Sequence, residues 1–503
     1  MPTHPSYTAL KQHMHEIELI DSTLRLLEWD DSTYRPGGAS EWRAEQTEYF
    51  TGKRHRLFTD SRVGEWIKAA EEELKDADPL APERVNVREW KRSYNRITKL
   101  PQSLAEALAS AQVTGRMVWI KARQEKDFSL FLPALQTHLK LAREKADAYG
   151  YDENRYDALL DEYEPGARQS EVLPLLRDMR EKAVPLLKRI TASGHQPDLS
   201  ILQGSYPKPA QYELFREITT ALGYRFEEGS LDPTHHPFCT TLGRGDTRIT
   251  TNYDETDLTK ALFSTLHEAG HGMYEQNLPS EYYGEPAGLF ASMGIHESQS
   301  RLWENQVGRS EGFWRYWLPR VQTRFADSLG AVTLPSFLHA VNAVQPSFIR
   351  IEADELTYNL HILLRTELEV ELLSGDLGAE DLPEAWNERF ESYLGLKVPD
   401  DAVGCLQDMH WALGLIGYFP SYSLGNIYSA QIMDAAARAL PDMNERFARG
   451  EFRPLLDWLR EKVYIHGQRY GSRDLVRVVT GSEPDASHLT AYLHGKLEPL
   501  YEL

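Results

Sequence analysis

Apolar residues recur every three to four positions through most of the chain, a period that predicts helices. The pattern runs from about Tyr7 to Asp60 and breaks at Arg35-Pro36-Gly37-Gly38, a predicted turn. Pro101-Gln-Ser103-Leu-Ala-Glu106 reads as a capping box opening a helix to about Gln124, and Asp127 starts another that reaches Tyr149. The period returns from Ala210 to Leu222, then at Leu258, Leu262 and Leu266, and again after Gly330. Over Ser347 to Leu373 it predicts one continuous helix, on which Arg350 and Asp354 read as an i,i+4 ion pair. Between Tyr206 and Tyr253 the period fails in LDPTHHPFCTTLGRGDTRITTNYD, whose threonines, glycines and turn residues predict a two- or three-stranded sheet. The expectation is a mainly all-α fold with one small β-sheet.

Composition narrows the class. No linker, repeat or low-complexity run divides the 503 residues, so residues 1–503 read as a single catalytic domain, and 41% hydrophobic content supplies a large core. With 55 basic against 76 acidic residues the net charge is −21, which disfavours nucleic acid and anionic membranes as partners. The first residues have neither a basic nor an apolar leader region, and no run approaches membrane-spanning length, so the expected location is cytoplasmic. Cys239 and Cys405 fit packed thiols in a reducing compartment better than a disulfide.

The chemistry concentrates in Asp254 to Asn277. Thr256 or Asp254 is placed to cap a helix carrying His267-Glu268-Ala269-Gly270-His271. Histidines at i and i+4 share one face and can converge on a single Zn²⁺, while Glu268 stands beside the ion as general base. Gly270 and Gly272 each cost such a helix about 1 kcal/mol relative to Ala, which points to close approach of another element. The metzincin positions for a third ligand hold Tyr274 and Asn277, excluding that subclass. Glu297, in a second predicted helix from Ser292 to Arg301, is a candidate, and Glu275, Glu281, Glu285 and His296 remain rivals by spacing. The sheet just before the metal helix is placed to line a cleft and accept a peptide backbone by strand addition.

Elsewhere the residues are less pointed. Trp29 and Trp42 read as packing within a helix hairpin, and Asp161, Glu162 and Glu164 as a solvated acidic face. Gly404 to Trp411, followed by Gly414, Gly417, Tyr418 and Tyr422, joins glycines to polar-tipped aromatics of the kind an oxyanion needs.

Together these motifs resemble one family, the M32 metallocarboxypeptidases. The carriers are His236-Pro237-Phe238, Asp246-Thr247-Arg248-Ile249-Thr250, the His267 to His271 motif, His296-Glu297-Ser298-Gln299-Ser300, Ile349 to Asp354 and Gly404 to Trp411. The resemblance covers essentially the full length. It implies a helical fold with a deep groove, related to the angiotensin-converting-enzyme type, and a homodimer. It also implies His267, His271 and Glu297 as ligands of one Zn²⁺, with Co²⁺ as a substitute. Arg350 and Arg248 become candidates for gripping the substrate carboxylate. Asp246, His236, Gln407, Asp408 and Tyr418 join them as substrate-binding residues, and His410 with Tyr422 or Tyr418 would stabilise the oxyanion. The expected reaction is removal of C-terminal residues from peptides with a free C-terminus, with broad specificity that spares proline. Two rivals stand beside it. A metallo-oligoendopeptidase would cut peptides with a blocked C-terminus, and a non-catalytic helical binding protein would have no use for an intact Glu268.

Overall fold

The computed structural model describes residues 4–503. The first predicted turn forms as read, with helices Pro5–Thr33 and Ser40–Phe58 on either side of it. With Ser61–Glu73 and Pro82–Lys99 they enclose a core of their own, built from Leu10, Met14, Ile17, Val63, Ile67 and Trp90. The remaining helices share one much larger core, at whose centre lie Leu258–Gln276, Met293–Arg301, Thr357–Ser374 and Pro420–Ala439.

Several expectations are corrected. Helix Gln102–Glu125 starts at Pro101 with no side-chain cap, so Ser103 and Glu106 lie inside it and no capping box forms. The helix expected from Ser347 begins only at Thr357, because Asp354 accepts hydrogen bonds from the backbone of Leu356 and Thr357 and acts as its start signal. Arg350 sits in a preceding 3₁₀ turn, Arg350–Glu352, and its side chain pairs with Asp408 rather than Asp354. Trp42 is 67% exposed, and so does not pack in the hairpin. Glu164 is fully buried, where it accepts from the hydroxyls of Ser421 and Ser472 and from the Gly294 amide. Both cysteines are free thiols.

The sheet has three strands, β1 (Leu231–Pro233), β2 (Cys239–Gly243) and β3 (Asp246–Thr251), in the order β1-β3-β2. β1 runs parallel and β2 antiparallel to β3, with a bulge between Thr241 and Gly243. Threonine pairing fastens β3 to the metal helix, the Thr265 hydroxyl donating to that of Thr251 at 2.9 Å. β2 is thereby left as an edge strand beside helix Leu258–Gln276. Among the described residues no helix is long and apolar enough to cross a membrane.

Candidate active site

Helix Leu258–Gln276 is capped by Asp257, which accepts from the Thr259 amide. Asp254 instead holds the turn before it, accepting from the amides of Thr256 and Asp257. Leu258, Leu262 and Leu266 are buried as their spacing requires. The two glycines explain themselves in the packing. A Cβ on Gly270 would lie 2.7 Å from the Gln299 carbonyl oxygen, and one on Gly272 2.8 Å from the Tyr224 ring. Helix Met293–Arg301, capped by Ser292, can therefore lie directly against the metal helix and present Glu297 to it.

Glu297 Oε2 stands 3.5 Å from Nε2 of both His267 and His271. The three ligand atoms all lie within 4.8 Å of one another. Ligands of a tetrahedral ion at ~2.0–2.1 Å stand roughly 3.3–3.4 Å apart, so the donor set fits a metal of that kind. The rivals are committed elsewhere. Glu275 pairs with His296 at 2.9 Å and accepts from the Thr241 hydroxyl at 3.0 Å. Glu285 holds Lys11 and Asn86, Glu281 is exposed, and the His296 ring stacks on His271 with centroids 4.4 Å apart.

The charges are set by burial and by close partners. His267 Nδ1 donates to Glu304 Oε2 at 2.9 Å, which turns its Nε2 toward the site. Burial works against a charged Glu304, yet Arg301 and His267 hold its carboxyl down at about 2. Glu297 is likewise kept well below the usual carboxylate range by Arg301 and His267 against the cost of burial. Burial, with His296 beside it, lowers His271 to about 3, so it offers a neutral nitrogen. Among the described residues no side chain or amide donates to Glu268, and burial pushes it up to about 7.

These residues open onto a cavity of about 1280 Å³, with β2, Tyr418 and Tyr422 in its walls. The N-terminal helix closes one side with Glu18, Asp21 and Arg25, none of which carries a local sequence signal. Arg25 Nε donates to the Thr241 carbonyl of β2 at 2.7 Å and so ties that helix to the edge strand.

The other sequence candidates divide. Tyr418 and Tyr422 line the cavity, with rings 5.3 Å apart. His410 does not line it but lies behind Tyr422, its Nε2 3.5 Å from the tyrosine hydroxyl, and burial lowers its pKa to about 4. Arg350 is 5% exposed and also lies behind the wall, its guanidinium carbon 5.1 Å from the Tyr422 ring centre. It donates to Asp408 at 2.8 Å and to the Tyr358 hydroxyl at 3.0 Å. Asp408 also takes Arg365 at 2.7 Å, and the two guanidiniums hold its carboxyl far below the ordinary range despite burial. Gln407 accepts from the Arg350 amide at 2.9 Å and donates to the carbonyls of Phe348 and Val403, fixing the backbone that carries Arg350. Three candidates stand apart from the cavity. Arg248 pairs with Asp246 at 2.8 Å and lies 4.2 Å over the Trp29 ring, and His236 is exposed, although its neighbours Pro237 and Phe238 reach the cavity wall.

Known proteins resemble the chain over nearly its whole length. The model of the Carboxypeptidase Taq (M32) metallopeptidase family matches residues 9–497. The chain belongs to the M32 family. Thermostable carboxypeptidase 1 of Thermus thermophilus is 46% identical over 513 residues, covering 100% of both chains. Carboxypeptidase 1 of Bacillus subtilis is 39% identical, covering 98% of this chain and 99% of its own. The crystal structure of an M32 carboxypeptidase from Deinococcus radiodurans superposes with a TM-score of 0.96 at 38% identity, covering 99% of this chain and 100% of that one. As a member of M32 the chain is a peptide hydrolase of the carboxypeptidase kind, and the family's metal dependence matches the cradle of His267, His271 and Glu297.

Proposed function

We propose that this M32 enzyme is a zinc carboxypeptidase that removes C-terminal residues of broad type, proline excepted, from peptides with a free C-terminus. The observation that carries the reading is the convergence of His267 and His271 Nε2 on Glu297 Oε2, with Glu268 beside them at the cavity wall. A divalent ion held by those three residues supplies Lewis acidity toward the scissile carbonyl and the attacking water. Glu268 takes the proton of that water on its carboxylate and passes it to the leaving nitrogen, and a pKa near 7 suits a group that must do both. Tyr422 and Tyr418 are placed to donate to the developing oxyanion, with His410 behind Tyr422 orienting its hydroxyl. β2 offers the substrate backbone the Cys239 end of its edge, since the carbonyls of Thr241 and Leu242 already accept from Arg25 and Ser22 of the N-terminal helix. Arg350 keeps donors to spare, since a guanidinium has five N–H groups, and is the cation we assign to the terminal carboxylate, which reaches it when the Tyr422 ring in front of it turns aside. In the cell we place the enzyme in the cytoplasm as a homodimer, with one folded unit per chain and one Zn²⁺, replaceable by Co²⁺.

The test is a defined peptide, free or amidated at its C-terminus, incubated with and without chelator and read by mass. Stepwise loss of C-terminal residues from the free peptide alone, abolished by chelator, is the expected result. Internal cleavage of the amidated peptide would make the enzyme an endopeptidase.

A further inference from the structure

Glu297 has two carboxylate oxygens, and only one faces the histidines. Oε2 is the atom 3.5 Å from both Nε2 nitrogens, whereas Oε1 accepts from Arg301 Nε at 2.8 Å, one turn along the same helix. Two further contacts hold the side chain. The Ser300 hydroxyl, 2.7 Å from the Glu297 carbonyl, also reaches Oε2 at 3.1 Å. A Cβ on Gly425 would lie 2.5 Å from Glu297 Cγ, so helix Pro420–Ala439 presses directly on the stem.

Arg301 is itself fixed. Its Nη1 donates to Glu304 Oε2 at 3.2 Å, and its guanidinium carbon lies 4.5 Å over the Tyr358 ring. Glu304 in turn accepts from His267 Nδ1 at 2.9 Å. His267, Glu304, Arg301 and Glu297 therefore form one connected circuit that begins and ends on a metal ligand. A π-helical turn, Leu302–Val307, follows directly after Arg301 and carries Glu304. An i,i+4 glutamate–arginine pair on a helix is ordinarily a solvated contact. Here the side chains are only 10% and 15% exposed, and the arginine occupies the one oxygen that the cradle leaves over.

We propose that Arg301 is a positioning residue that restricts Glu297 to one-oxygen ligation and thereby keeps a coordination position of the metal open for the reactants. The inference rests on the ligand reading above. A carboxylate free to rotate can bring both oxygens to a divalent ion, and a charge-assisted N–H on Oε1 opposes that rotation.

The experiment uses the cobalt-loaded protein, because the visible absorption of Co²⁺ weakens when its coordination number rises from four. Wild type, Glu297→Ala, Arg301→Met and Arg301→Lys are compared for cobalt content, spectrum and peptide kinetics. Arg301→Met is expected to keep its cobalt, absorb more weakly, and lose roughly 10- to 100-fold in kcat while KM stays within about threefold. Arg301→Lys, which retains the charge but lacks the Nε donor, shifts the same way, and it decides the matter should Arg301→Met fail to fold. A wild-type spectrum in the variants, or loss of the cobalt from them, overturns the proposal. Cobalt retained by Glu297→Ala would instead overturn the ligand set, so the two failures are told apart.

Discussion

Glu268 and Arg350 are both buried and ionisable, and their surroundings set them apart. Glu268 is 6% exposed with no paired donor, so its proton is loosely committed near neutrality. Glu268→Gln keeps the shape and removes the proposed base, and is expected to lower kcat by about 10²–10⁴-fold while metal content, read by atomic absorption, stays at the wild-type level. Arg350 is paired with Asp408 and Tyr358 behind the cavity wall. Truncating one side of the charged pair that Arg350 would form with the substrate carboxylate costs about 2–5 kcal/mol. Arg350→Ala is therefore expected to reduce kcat/KM on free peptides by roughly 30-fold to several thousand-fold and to abolish the preference for a free over an amidated C-terminus. If the preference persists, Arg350 serves only to brace Asp408. Arg248, which pairs with Asp246 and lies over the Trp29 ring, is then the next residue to test.

At the scale of elements, one face of helix Thr357–Ser374 organises the layer of side chains behind Tyr422. Tyr358, Arg365 and Glu369 project at helical spacing toward the 404–419 segment. Tyr358 takes Arg350, Arg365 takes Asp408, and Glu369 accepts from Trp411 Nε1 at 2.9 Å and the Gly417 amide at 3.0 Å. The Tyr156 hydroxyl donates to the same carboxyl at 2.9 Å, and Arg365 is the charged group facing it. Burial pushes Glu369 up to about 7, so the fold favours its neutral form. That stabilisation is complete below the unfolded carboxyl pKa of ~4.3 and is lost as pH rises through about 7. Denaturant titrations should show wild type losing about 1–3 kcal/mol relative to Glu369→Gln between about pH 5 and pH 8. The contact between the two ligand-bearing helices is a second element-scale device. Gly270→Ala sets a methyl against the Gln299 carbonyl and the Ser300 Cα, both 2.7 Å away. An overpacking cost of about 1–3 kcal/mol is expected, together with weaker metal retention in chelator competition, because the shift is taken up between His271 and Glu297.

Among the described residues the two principal hydrophobic cores are very unequal, and residues from both bodies line the cavity. The smaller belongs to the first four helices, and Arg25, Lys11 and Asn86 fasten it to the sheet and to Glu285 on the larger body. Trp90→Ala should destabilise this smaller core by about 3–5 kcal/mol. Hydrogen exchange is expected to accelerate within residues 5–99 while the helices bearing His267, His271 and Glu297 stay protected. Faster exchange across the whole chain would mean that the two cores unfold as one.

What the sequence determined alone was local. Leucine spacing marked the metal helix, the i,i+4 rule put His267 and His271 on one face, and two costly glycines announced a close neighbour. These hold because helix period and glycine sterics act within a few residues. Tertiary structure decided the rest. Glu297 was one of five candidates by spacing, and it stands in the cradle because Gly270 and Gly425 let two other helices close around it. Asp354 became a helix cap and Arg350 the partner of Asp408 because a side chain's hydrogen bond is chosen among everything the fold brings within reach. Glu164, read as a solvated acid, is buried because Ser421, Ser472 and Gly294 converge on it from distant parts of the chain, and no residue beside it in the sequence carries that information.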